Sequence, residues 1–176
     1  MRLTTVIIAL CLVPALVPLA GCGASSAGGT DPAIVAPASR EAAANLSVPA
    51  LSGAGRIAVG APTARPTVVN MWASWCGPCR EEMPAVQRFA STHPDVRVVG
   101  VAVNDQIDDA RAFAKEVGVQ FPLAFDADHQ VADAYAVSGL PTTIVLDREG
   151  RLAATWPGPV TDADLTRLTS ALAARD

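Results

Sequence analysis

Lysine occurs once in the 176 residues, at Lys115, and the 13 Lys+Arg fall below the 17 Asp+Glu, for a net charge of −4. A chain so short of positive charge carries no polybasic patch for a nucleic-acid backbone or for anionic lipid. Aromatic residues make up only 5% and charged ones 17%, whereas 51% are hydrophobic, which excludes wholesale disorder. One compact domain with tails is the expectation at this length. Histidine is scarce, with His93 and His129 alone. The cysteines number four, at 11, 22, 76 and 79, a count that allows two disulfides or one metal site.

Position narrows that count. Residues 3–19 are almost wholly apolar and follow Met1 and Arg2. The run is short for a membrane span, and Pro14 and Pro18 would interrupt a helix, so a secretory signal fits better. It ends in Leu19-Ala20-Gly21-Cys22, which resembles the cleavage box of bacterial lipoproteins. The resemblance implies a signal peptide over residues 1–21, with Cys22 lipidated as the new N-terminus. Ordinary secretion with a chance cysteine is the alternative. Cys11 is then discarded, Cys22 becomes a thioether, and Cys76 and Cys79 remain as thiols. More than one acyl chain on Cys22 would make anchoring to the membrane stable. Residues 23–45 are Gly, Ala, Ser and Pro with few charges, which predicts a flexible linker reaching roughly 25 Å.

A single domain is expected over residues 46–176. Residues 46–51 and 56–59 flank Ser52-Gly53-Ala54-Gly55, a hairpin pattern. Residues 67–73 and 96–103 read as strands buried on both faces. Helices are predicted over 76–92, 107–117, 130–135 and 161–174, the second ending at Gly118. Strands over 142–146 and 152–156 flank an Asp147-Arg148-Glu149-Gly150 turn. This order predicts an α/β fold, a central mixed β-sheet flanked by helices on both faces.

The chemistry concentrates in Cys76-Gly77-Pro78-Cys79. Zinc needs four ligands, and the other cysteines lie in the leader, so no metal is expected. A static disulfide closing so small a loop would contribute little chain-entropy stabilisation. A redox dithiol is favoured by location, directly after a buried strand and at the start of a helix. There the helix dipole and unpaired N–H groups stabilise a thiolate on Cys76. Cys76 is the candidate nucleophile and Cys79 the resolving thiol.

Trp75-Cys76-Gly77-Pro78-Cys79 resembles the thioredoxin active site. The longer run from Val69 to Pro84, with Glu82, is similar to the TlpA/ResA branch of that superfamily, whose members are extracytoplasmic, membrane-tethered thiol–disulfide oxidoreductases. Gly139-Leu140-Pro141-Thr142-Thr143 resembles that branch's second active-site segment. The resemblance implies a thioredoxin-like fold and no cofactor. It also implies a cis Pro141 packed against Cys76, with the Leu140 backbone pairing an extended substrate segment.

Three further positions read from chemistry. Asn70 is polar within an apolar strand; an amide cannot take up a proton as a carboxylate can, and a structural role is as well supported as a direct one. Counting 100° per residue from Cys79, Glu82 falls at about 300°, inside the arc of Met83, Val86, Phe89 and Ala90. A glutamate there should have a raised pKa and exchange protons near neutrality, unless it reaches out to water. Pro84 should kink the helix. Trp75 is expected to shield the dithiol and Trp72 to sit in the core, while His93 and His129 are expected at the surface or at helix ends.

The Gly-Pro pair resembles the reducing end of the superfamily, near −270 mV, rather than the oxidant DsbA near −120 mV. A reductant outside the cytoplasm needs electrons, and the resemblance implies a membrane thiol carrier of CcdA/DsbD type as donor. The clients it implies are disulfide-containing proteins, such as apocytochromes c or copper-site assembly proteins. Oxidative folding or isomerisation is the alternative within enzymes. A Cu(I)-binding metallochaperone is the alternative outside them, although the cysteine spacing and partner histidine of the Sco type are not evident. A peroxidase reading lacks the Thr-x-x-Cys pattern near the first strand.

Overall fold

A computed structural model describes residues 34–173. The signal segment 1–21, Cys11, Cys22 and the linker up to residue 33 lie outside the described residues. The elements run β1 (Leu46–Pro49), β2 (Arg56–Val59), β3 (Thr67–Trp72), α1 (Gly77–Thr92), β4 (Arg97–Val103), α2 (Ile107–Val117), β5 (Leu123–Asp126), α3 (Gln130–Ala134), β6 (Thr142–Leu146), β7 (Leu152–Pro157) and α4 (Asp162–Ala173).

Five strands form a mixed sheet in the order β5-β4-β3-β6-β7. β3 pairs in parallel with β4, and β4 with β5, while β6 runs antiparallel to both β3 and β7. β3 is the middle strand and is buried along its whole length, as its near-continuous apolar run requires. Its residues alternate between two cores. Val68 and Trp72 join Val98, Ala102 and Val145 on the face covered by α1, α2 and α4. Val69 and Met71 join Val99, Val101 and Ile144 on the face covered by α3 and the β1–β2 hairpin. Asn70 therefore points to the α1 side, and Thr143, its register partner on β6, points the same way. The helix stripe Leu165, Leu168 and Leu172 of α4 is fully buried, each side chain contributing roughly 2 kcal/mol.

Close approach requires glycine in the middle of the sheet. A Cβ on Gly100 of β4 would come within 2.5 Å of Leu123 and 3.0 Å of the Trp72 indole nitrogen. Gly118 ends α2 in the left-handed region, as a C-terminal glycine should.

Two features depart from the sequence expectations. β5 was not anticipated: it has four residues, only alternately buried, too few for a period to register. Residues 34–45, expected to be flexible linker, are docked. Ile34 packs against the core, and the Val35 N–H donates to Ala153 O at 2.8 Å. Leu152 N–H donates to Glu41 O, and Ala43 N–H to Gly150 O. The cause is Arg40. Its guanidinium meets the Asp147 carboxylate at 3.2 Å, both side chains being fully buried, and its Nε donates to Val35 O. A composition-based reading treats Arg40 as one charge in a bland stretch, whereas tertiary pairing makes it an anchor.

Each outer edge of the sheet is thus covered. Residues 35–43 lie along β7, and Ala50 and Leu51 bridge to Ala124 and Leu123 of β5.

Candidate active site

The registers Met71–Thr142 and Trp72–Ala102 bring the C-terminal ends of β3 and β4 and the start of β6 to one end of the sheet. The loop 73–76, residues 104–106 and residues 139–141 gather there. Cys76 caps α1, with Gly77 and Pro78 opening the first turn, where a proline's missing N–H leaves no bond unmade. Cys76 and Cys79 are joined by a disulfide. Cys76 Sγ accepts the N–H of Cys79 at 3.2 Å, and the two residues are 5% and 0% exposed. Gly77 has open space where a side chain would be.

The loop before the disulfide is held by a residue the sequence reading did not single out. Asp105 accepts the Ser74 N–H at 2.5 Å and the Ser74 hydroxyl at 2.7 Å, and also the Gln106 N–H. Trp75 is 60% exposed, and its indole N–H donates to Asn104 O at 2.8 Å. Trp72, by contrast, is fully buried against Phe113, with ring centroids 5.5 Å apart. The Leu140–Pro141 peptide is cis. Pro141 O accepts the Gly158 N–H, the Thr142 hydroxyl donates to Gly139 O at 2.7 Å, and Leu140 packs against both cores. An open groove of about 270 Å³ runs between Trp75 and Leu140, lined also by Asn104, His129 and Asp133.

One turn beyond Cys79, Glu82 is 4% exposed and lies with Met83 and Val86 on the buried side of α1. Its Oε1 accepts from Asn70 Nδ2 at 2.8 Å and its Oε2 from the Val160 N–H at 2.8 Å. Burial pushes its pKa up from 4.5 to about 7, against the opposing pull of these two donors. Asn70 Nδ2 also reaches Thr143 Oγ1 at 3.1 Å. An open cleft of about 500 Å³ is lined by Glu82, Ala85, Val160 and Thr161. Thr143 was expected only as the end of the second active-site segment, not as a partner of Asn70, and Val160 was not expected at the site. The signal for Thr143 was available, because a second polar residue faces the same side as Asn70; for Val160 there was none, since it contributes only main chain.

Pro84 lies within α1, which continues to Thr92. His93 caps the end of that helix, stacked on Phe89, and His129 precedes α3, where it lines the groove beside Trp75. Among the described residues, no cluster of three or more His, Cys, Asp or Glu could hold a metal ion, and no helix is long and apolar enough to cross a membrane.

Residues 40–155 match the model of the AhpC/TSA family. The chain is 38% identical over 97 residues to the thiol-disulfide oxidoreductase ResA of Bacillus subtilis, covering 54% of each chain. It thus spans about half the length of the curated relatives it matches. Among solved structures, it resembles a DsbF homologue from Corynebacterium diphtheriae, with a TM-score of 0.74 and 28% identity over 84% of this chain and 96% of the other. A secreted thiol-disulfide isomerase from Corynebacterium glutamicum aligns with a TM-score of 0.72 and 26% identity, covering 85% and 95% of the two chains.

Proposed function

Since the chain belongs to the AhpC/TSA family and its fold is thioredoxin-like, we propose that it is an extracytoplasmic thiol–disulfide oxidoreductase working as a protein disulfide reductase. The observation that carries this reading is the Cys76–Cys79 disulfide at the N-terminus of α1, with the Glu82 carboxyl one turn behind it.

In the reduced protein, Cys76 is the nucleophile. The Cys79 N–H that now points at its sulfur, together with the N-terminal end of the helix, stabilises a thiolate there. That thiolate attacks a client disulfide, forming a Cys76–client bond and releasing one client thiolate. Glu82 then takes the proton from the Cys79 thiol. The Cys79 thiolate attacks Cys76 Sγ, the enzyme disulfide forms, and the second client sulfur leaves. Two electrons pass from the enzyme dithiol to the client. Glu82, with a pKa of about 7, gives its proton back through the cleft beside Val160. Trp75 and Leu140 border the groove that suits an extended client segment, with the cis Pro141 directly after Leu140 and Thr142 bracing that turn.

A thiol donor of CcdA/DsbD type would restore the dithiol, and lipidation at Cys22 would hold the domain at the membrane. Disulfide-containing clients, apocytochromes c or copper-site assembly proteins among them, are the substrates on this reading. The resemblance to a secreted isomerase favours a second reading, an oxidase or isomerase. The Cys76–Cys79 potential separates the two. A value near −270 mV fits the reductase; one near −120 mV would make the protein an oxidant.

A further inference from the structure

The Asn70 side chain is wired on one side only. Its NH2 group donates to both Glu82 Oε1 and Thr143 Oγ1, while its carbonyl oxygen is buried and, among the described residues, accepts from nothing. That pattern suits Glu82 as a carboxylate, whose two oxygens each receive a donor. It does not suit Glu82 as an acid. A proton on Oε1 would face the Asn70 N–H, and a proton on Oε2 would face the Val160 N–H, donor against donor. Val160 offers main chain and is fixed by the backbone. Asn70 offers a side-chain amide, free to exchange its ends by rotation about one bond.

We propose that the Asn70 amide turns over when Glu82 takes up a proton, so that Oδ1 accepts from the Glu82 hydroxyl and from the Thr143 hydroxyl. Asn70 and Thr143 are then positioning residues for proton transfer. Thr143 suits both states, because a hydroxyl accepts from the amide in one and donates to the carbonyl in the other. The turn exchanges one buried unpaired polar group for another, since the NH2 moves to where the carbonyl now sits. The proton on Glu82 therefore decides between the two arrangements. The charged groups that line the same cleft as Glu82 are Glu81 and Arg88 of α1 and Asp162 at the start of α4. The inference rests on the reading of Glu82 as the proton acceptor. In that step the Cys79 S–H bond breaks, the Glu82 O–H bond forms, and the new hydroxyl gains its acceptor when the Asn70 amide turns.

The test is nuclear magnetic resonance on the oxidised, 13C/15N-labelled full chain, titrated across the Glu82 transition followed at its own 13Cδ. Above the transition, scalar coupling across the hydrogen bond from Asn70 15Nδ2 to Glu82 13Cδ is expected. Below it, that coupling is lost and the Asn70 amide protons lose their nuclear Overhauser contacts to Thr143. Amide protons that keep their contacts to both Glu82 and Thr143 on each side of the transition would overturn the proposal. The Glu82 role is judged separately by turnover of Glu82→Gln, so failure of either idea is visible without the other.

Discussion

Glu82 Oε2 accepts the main-chain N–H of Val160 at 2.8 Å, which joins the second turn of α1 to the loop leading into α4. A buried carboxyl of α1 is thereby held one turn behind Cys79 by groups from two other elements, β3 and the loop after β7.

Glu82 should imprint itself on stability. Its carboxyl binds a proton up to about pH 7 in the folded protein and only to about 4.5 when exposed. Between those values the folded state holds a proton that the unfolded state releases, so unfolding free energy falls as pH rises through that window. The loss amounts to roughly 3 kcal/mol at most. Denaturant midpoints of the oxidised protein should show this slope, and Glu82→Gln should flatten it. Parallel slopes in the two proteins would refute it. Turnover of the variant should drop by about 100-fold.

Cys79→Ser should accumulate mixed disulfides on Cys76, because the resolving thiol is gone. Non-reducing gels of the variant, cleared by reductant, give the measurement and identify the clients. Equal trapping by Cys76→Ser would reverse the two roles.

Trp75 is exposed, with its N–H donating to Asn104 O, so Trp75→Ala should leave unfolding free energy within about 0.5 kcal/mol of the parent. Reduction of a protein disulfide should nevertheless slow, with little change for a small-molecule disulfide that needs no groove. Equal slowing for both substrates would remove Trp75 from client binding.

Arg40→Ala should destabilise the domain by about 3 kcal/mol, since Asp147 stays fully buried with only Arg151 as a partner from its own turn. Chemical denaturation measures this directly. A loss below 1 kcal/mol would mean that Arg151 alone suffices.

The sequence made the middle of the fold readable because β3, β4, α1 and α2 have long, clean patterns, and the Glu82 position followed from helix geometry alone. Legibility stopped where contacts are long in range and carried by few side chains. Arg40 gives no local sign of Asp147, 107 residues away. Asp105 looks like any loop acid until the chain folds it against Ser74. β5 is too short to state a period, and its register is imposed by β4. The network behind the disulfide was half visible: Asn70 and Glu82 stood out as polar residues in apolar runs, while Val160 contributes an atom that every residue but proline possesses.

The strap of residues 35–43 along β7 has a consequence for solubility. An uncovered edge strand offers its N–H and C=O groups to any other strand, and the outer side of β7 is occupied here by the chain's own backbone. A protein shortened to begin at residue 46 would keep the dithiol and its helix, yet would bare that edge. It should self-associate through β7, losing monomer at concentrations where the longer chain stays dispersed.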